Sequence, residues 1–197
     1  MSGVLRLVDP ETPPGKHDHV DLELDDGQLL RYNDPRRFGL VLHLEGDPLF
    51  HRLLQHLGPE PFSIDLAEDY LYSRSRKRNL AIKTFIMDQK ILVGVGNIYA
   101  SEALFAAGID PRRASGVVTR KESIKLLQCI QAILAEAISA GGTTLKDFRQ
   151  SDGKPGYFTQ QLQVYGRKGE GCLQCGGEIQ QIVLGQRSTF YCETCQR

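Results

Sequence analysis

No run of apolar residues in this 197-residue chain approaches the roughly 18 that a membrane helix needs, so no membrane partner is expected. Met1-Ser2-Gly3 is not followed by a basic segment and an apolar stretch, so nothing reads as a secretion signal and the cytosol is the expected compartment. There is no internal repeat and no low-complexity tract. Net charge is absent as well, at +0, which by itself argues against a nucleic-acid partner. Cysteine is scarce, at five residues, and without an export signal the disulfide framework of a small secreted domain is not expected. What remains is an ordinary globular composition, 41% hydrophobic, in a length that fits one large or two modest domains.

The charge is unevenly placed. Residues 1–73 hold 6 Lys/Arg against 14 Asp/Glu, and residues 74–197 hold 18 against 10, so a balance of −8 faces one of +8. Such asymmetry between halves points to nucleic acid, with a merely polarised, solvated surface as the alternative.

The first forty-odd residues read as strands. Val20 to Leu24 alternates apolar and acidic residues, Asp25-Asp26-Gly27 supplies a turn, and Leu29 to Tyr32 resumes, which is a hairpin pattern. Phe38 to Leu44 reads as a further strand. The middle reads as helical. Asp47-Pro48 opens a helix that Gly58 closes, with Leu49, Leu53, Leu54 and Leu57 on one face. Asn97 is placed to cap a helix that Gly108 stops. Thr119 and Glu122 match a capping box, and apolar residues from Ile124 to Ile138 repeat at helical spacing until Gly141-Gly142. Cys129 lies within that helix as a small core residue. Residues 150–171, rich in Gly, Gln and aromatics, read as a long surface loop.

The sharpest local signal is Cys172, Cys175, Cys192 and Cys195, a C-x2-C-x16-C-x2-C array. Each pair sets two thiolates on one tight turn, and the 16 intervening residues suffice for a hairpin with strands Ile179–Leu184 and Ser188–Tyr191. Four thiolates close a tetrahedral shell, which makes the expected Zn2+ structural rather than catalytic and leaves no room for a hydrolytic water. A hairpin this small needs the metal to fold, and then acts as a rigid arm with Arg187 near its tip. Arg187 suits a phosphate, although an exposed turn arginine is more often only solvated.

Val93-Gly94-Val95-Gly96-Asn97 before a helix offers backbone N–H groups to an anion; it is not a dinucleotide fingerprint, since the third glycine is absent. Upstream, Arg74, Arg76, Lys77, Arg78, Lys83 and Lys90 are opposed only by Asp88, a stretch that can track a nucleic-acid backbone or simply be a solvated face.

Several longer motifs run in order along the chain: Asp34-Pro35-Arg36-Arg37-Phe38-Gly39, Leu57-Gly58-Pro59-Glu60-Pro61, Val93 through Glu102, Gly141-Gly142-Thr143-Thr144-Leu145, Ser151 through Phe158, and the cysteine hairpin. Together they resemble the bacterial formamidopyrimidine-DNA glycosylases. The resemblance implies an α+β chain. Residues 1–58 would be the remnant of an N-terminal β-sandwich with its linker, and 59–150 a helix-two-turn-helix domain. Residues 151–171 would be a lesion-covering loop, and 172–197 a four-cysteine zinc hairpin.

The resemblance also implies roles. Asn97 and Arg187 would hold phosphates near a flipped nucleotide, with Arg187 assisting the second elimination. Met1, Arg36 and Phe38 would enter the duplex as the damaged base leaves, Arg36 facing the orphaned cytosine and the other two filling the stack. Lys146 and Tyr157 belong to the segment that covers the flipped base. His17 and Asn79 fall at DNA-contact positions, although lysine is commoner than asparagine at the latter. The partner implied is double-stranded DNA carrying an oxidised purine or abasic site, bound by a monomer in a bacterial cytoplasm.

The family's chemistry uses the amine of an N-terminal proline followed by glutamate, and a further lysine, to attack the sugar and form a Schiff base. None of these is matched, and Met1 aligns with an internal methionine. The expectation is therefore a glycosylase and lyase of oxidised purines whose 197 residues keep DNA and zinc binding and lack the nucleophile. The β-remnant would carry unpaired edges. The alternatives are a non-catalytic, zinc-dependent binder of damaged or abasic DNA, and an interaction module without a DNA role.

Overall fold

The computed structural model describes residues 3–141 and 162–197. The chain divides into two compact units, one including residues 3–46 and the other comprising Asp47–Ala135 and Leu162–Arg197.

The first unit is a three-stranded antiparallel sheet in the order β1-β3-β2, with β1 Val4–Val8, β2 Asp18–Glu23 and β3 Leu29–Asn33. The β2–β3 hairpin turns where Asp25-Asp26-Gly27 demands it: Gly27 has φ +78°, and the Asp26 carboxylate accepts the Gln28 amide at 3.0 Å. An ionic network holds the sheet. Arg31, at the centre of β3 and only 2% exposed, donates twice to Asp21 at 2.8 Å and once to the Pro13 carbonyl. Asp18, hydrogen-bonded by Asn33 and the Gly15 amide, is depressed to about 2. Leu5, Leu7 and Leu22 remain roughly half exposed.

Residues 38–44 do not form the expected strand. The Gly39 amide that would begin a ladder is bound instead by the Asp34 carboxylate at 2.8 Å.

The second unit is helical, with α1 Tyr70–Ser75, α2 Ile82–Ile86, α3 Asn97–Ala107 and most of α4 Arg120–Ser139, followed by the hairpin β4 Ile179–Leu184 and β5 Arg187–Cys192. The helix expected from Asp47 to Gly58 is only one 3-10 turn, Pro48–Phe50, capped by Asp47, and then a string of turns. Its leucines explain this: Leu49, Leu53 and Leu57 are exposed, and a short helix needs a packed face to persist.

Helix α3 is buried on nearly every side, from Ala100 to Phe105, and Gly108 ends it in the left-handed conformation at φ +76°. The capping box at α4 is formed: the Thr119 amide donates to Glu122 at 2.8 Å, and the Glu122 amide to Thr119 Oγ1 at 3.3 Å. One core gathers Phe85, Ile86, Leu92, Leu104, Leu126 and Ile130.

A second, smaller core joins α3 to the cysteine hairpin through Phe105, Val164, Ile179 and Phe190. Tyr165 packs edge-on against Phe190 with ring centroids 4.9 Å apart. The chain end completes the joint. The Arg197 amide donates to the Gly108 carbonyl at 3.1 Å, and Gln196 Nε2 donates to that of Ile109 at 2.9 Å. The hairpin is thus one body with the helices.

Candidate nucleic-acid interface and metal centre

The hairpin turns through Gly185 and Gln186, whose φ values of +53° and +61° are those a two-residue type I′ turn requires. Arg187 follows as the first residue of β5, paired with Leu184, and its side chain is exposed. A Cβ on Gly185 would lie 3.3 Å from Thr84, so the hairpin tip rests against α2.

Beneath Arg187 lies a buried polar cluster that joins three elements. Lys83, 1% exposed, donates from Nζ to Asn97 Oδ1 at 2.7 Å, to the Ser188 carbonyl at 3.0 Å and to Thr189 Oγ1 at 2.8 Å. Asn97 in turn donates from Nδ2 to the Ser188 carbonyl at 3.0 Å and to the Tyr165 hydroxyl at 3.1 Å. Burial holds the Lys83 ammonium down at about 8. Asn97 is therefore not the expected cap. Gly96 occupies that position and supplies no side-chain bond, while Asn97 is the first residue of α3 and ties it to β5. Gly94, at φ +81°, makes the turn into this helix end, and both Gly94 and Gly96 are exposed. An exposed glycine turn, a helix N-terminus and an arginine on the neighbouring strand are groups of the kind that bind an anion.

Glu102 holds the third side of the cluster. Its buried carboxylate accepts the amides of Gln163, Val164 and Tyr165 at 2.8, 3.0 and 2.8 Å, which fixes the segment carrying Tyr165 against α3. No periodicity marks Glu102 or Lys83 for these roles. Lys83 had read as one member of a basic surface stretch, and that reading fails for two residues. Lys83 is buried because it bridges α2 to β5. Arg76 is satisfied internally, donating to the carbonyls of Tyr72 at 3.0 Å and Val118 at 2.7 Å, with its guanidinium 3.9 Å from the Tyr72 ring. Asn79 is exposed between α1 and α2.

In the first unit, His17 precedes β2 and Arg36 and Phe38 follow β3, beyond the end of the sheet where Asp18 and Asn33 pair. The His17 carbonyl accepts the Asp34 amide at 2.9 Å, which opens the loop bearing the other two. Arg36 is exposed, and Phe38 is 76% exposed despite its size. Met1, Lys146 and Tyr157 lie outside the described residues.

The four cysteine Sγ atoms all lie within 4.8 Å of one another, with Cys172–Cys195 at 3.9 Å and Cys175–Cys192 at 3.5 Å. A tetrahedron with metal–sulfur bonds of about 2.3 Å has edges of about 3.8 Å, so the set fits a tetrahedral cation, and no pair is a disulfide. The Gly177 amide lowers Cys175 to about 7, whereas burial and the neighbouring thiols push Cys195 up to about 12. Thiols crowded in this way ionise together only around a dication.

Three family models match the chain in order: Formamidopyrimidine-DNA glycosylase N-terminal domain over residues 1–41, Formamidopyrimidine-DNA glycosylase H2TH domain over 57–149, and Zinc finger found in FPG and IleRS over 169–197. The four cysteines thus fit one structural Zn2+. Among curated relatives, the formamidopyrimidine-DNA glycosylase of Syntrophotalea carbinolica is 57% identical over the whole chain, which covers 73% of that protein. That of Stutzerimonas stutzeri is 59% identical with the same coverage. Among solved structures, MutM (Fpg) from Thermus thermophilus is 38% identical with a TM-score of 0.88, the chain covering 73% of it. Lactococcus lactis Fpg in complex with abasic-site DNA is 36% identical at 0.89, with 72% covered.

Proposed function

We propose that this chain, which belongs to the formamidopyrimidine-DNA glycosylase family, acts in base excision on double-stranded DNA carrying oxidised purines, 8-oxoguanine and formamidopyrimidine among them. In this reading the damaged nucleotide is flipped out. Asn97, the glycine turn before it and Arg187 hold its flanking phosphates, and Arg36 and Phe38 take up the space left in the duplex. The observation that carries the reading is the Lys83–Asn97–Ser188 cluster. It locks a helix N-terminus and the strand bearing Arg187 into one rigid anion-binding surface, with zinc holding the base of the hairpin. In this reading Arg187 also stabilises charge on a leaving phosphate in the second elimination. Lys146 and Tyr157 cover the flipped base, and His17 and Asn79 contact the backbone.

The 197-residue polypeptide is expected to retard a duplex carrying an abasic-site analogue opposite cytosine. The Schiff-base step needs an amine at the sugar C1′, and incubation with an 8-oxoguanine duplex and borohydride reads it directly: a trapped covalent band would show that an amine of this polypeptide reaches C1′. Failure to retain the abasic duplex in preference to undamaged DNA, even at low salt, would overturn the reading itself.

A further inference from the structure

The loop that bears Arg36 and Phe38 is closed on itself by one carboxylate. Asp34 is 2% exposed. Its Oδ2 accepts the Gly39 amide at 2.8 Å and the Tyr32 hydroxyl at 3.1 Å, and its Oδ1 accepts the Arg36 amide at 3.3 Å. Its carbonyl accepts the Arg37 amide at 3.2 Å and contacts His19 Nε2 at 2.9 Å. Bonds from residues 36 and 39 to one side chain draw the ends of the loop together, so residues 35–38 must bulge outward. Arg37 adopts φ +56°, a left-handed conformation that is unfavourable for a residue with a Cβ and persists only where its surroundings impose it. Gly39 is the counterpart: a Cβ there would lie 1.7 Å from the Tyr32 hydroxyl oxygen, so no other residue fits between Tyr32 and Asp34. Against this buried clasp, Arg36 is exposed and Phe38 is 76% exposed.

A large aromatic held in water by a strained, hydrogen-bonded loop is a wedge prepared before its target arrives. We infer that Asp34 is a positioning residue: its carboxylate, clamping the amides of Arg36 and Gly39, presets the loop that presents Arg36 and Phe38 to the gap in the duplex. Asp34 does not itself touch DNA. Its effect is to remove the ordering cost that a slack loop would meet on binding. The role in DNA rests on the proposed function; the clasp itself does not.

The test compares the 197-residue chain with Asp34→Ala, Asp34→Asn and Gly39→Ala. The first readout needs no DNA. Amide exchange at Gly39 and tryptic cleavage after Arg36 and Arg37 are expected to quicken at least tenfold in Asp34→Ala and Gly39→Ala. They should quicken less in Asp34→Asn, whose carbonyl oxygen can still accept the Gly39 amide. Exchange in β1 and β3 is expected to stay as in the parent. Unchanged Gly39 exchange and cleavage in Asp34→Ala would overturn the inference whatever the chain binds.

The second readout is the ratio of affinities for an abasic-analogue duplex with cytosine or adenine opposite the gap. Asp34→Ala should lose most of the parent's preference and Asp34→Asn should regain part of it. A preserved ratio in a loosened loop would overturn the role in reading the opposite base. A parent that fails to prefer the abasic duplex at all strikes the proposed function, while the exchange result still decides the clasp.

Discussion

Lys83 is the residue on which the second unit turns. Its three acceptors, Asn97 Oδ1, the Ser188 carbonyl and Thr189 Oγ1, are all uncharged, so among the described residues no carboxylate neutralises its ammonium, and burial holds its pKa at about 8 against an ordinary 10.5. Between those values the unfolded chain binds more protons than the folded one, so stability rises with pH across the window. Below about 8 both states are protonated and the burial cost is present in full. The parent should therefore gain up to about 3 kcal/mol between pH 8 and 10.5 relative to Lys83→Met, as read from urea unfolding of both at a series of pH values. Parallel curves for the two proteins would mean that Lys83 does not titrate in this cluster. The same variant frees Asn97, and its affinity for an abasic-analogue duplex should fall by roughly tenfold at pH 7.

Helix α4 begins at a cap that is also an ion pair. Glu122 is depressed to about 2, first by Arg113, which donates to it at 2.7 and 3.1 Å, and then by Thr119. A depressed carboxylate contributes stability above its ordinary value of 4.5 and loses it as pH falls toward 2. Replacing Glu122 by Gln should remove that acid-limb dependence. Thr119→Ala should cost about 1 kcal/mol, measured by thermal or urea unfolding at neutral pH.

The β4–β5 hairpin makes a different demand. Because it shares Phe105, Phe190 and the chain end with α3, removing zinc should do more than loosen an appendage. Chelation at neutral pH should release one equivalent of metal, seen with a colorimetric indicator, and lower the melting temperature of the helical unit. Abasic-duplex binding should be lost in parallel, since Arg187 and Asn97 are registered through β5.

At the scale of the molecule, zero net charge conceals a balance of +8 over residues 74–197. DNA affinity should therefore fall steeply with salt, and Arg187→Ala should reduce the slope of log affinity against log salt by about 1, as one phosphate contact is lost. A flat salt dependence would sink the DNA reading altogether. Among the described residues no helix is long and apolar enough to cross a membrane. The units are held by different physics. The first rests on the Arg31 network and leaves Leu5, Leu7 and Leu22 half exposed, while the second is built on continuous apolar cores.

What the sequence determined by itself is whatever a short stretch of chain decides. The cysteine array, the Thr119–Glu122 box, the Gly27 turn and the Gly108 stop each depend on residues a few positions apart, and all stand in the structure. The strand read at 38–44 and the helix read at 47–58 failed because their apolar patterns matched an element while the first ladder amide was taken by the Asp34 carboxylate and a packed face was not supplied. Tertiary structure alone decided that Lys83 is a buried bridge, since its partner Thr189 stands 106 residues away. It also decided that Glu102 binds three amides some sixty residues on and that Asn97 joins a strand rather than capping a helix. A buried polar group must find a hydrogen-bond partner, and where that partner comes from is fixed by the fold that brings distant segments together.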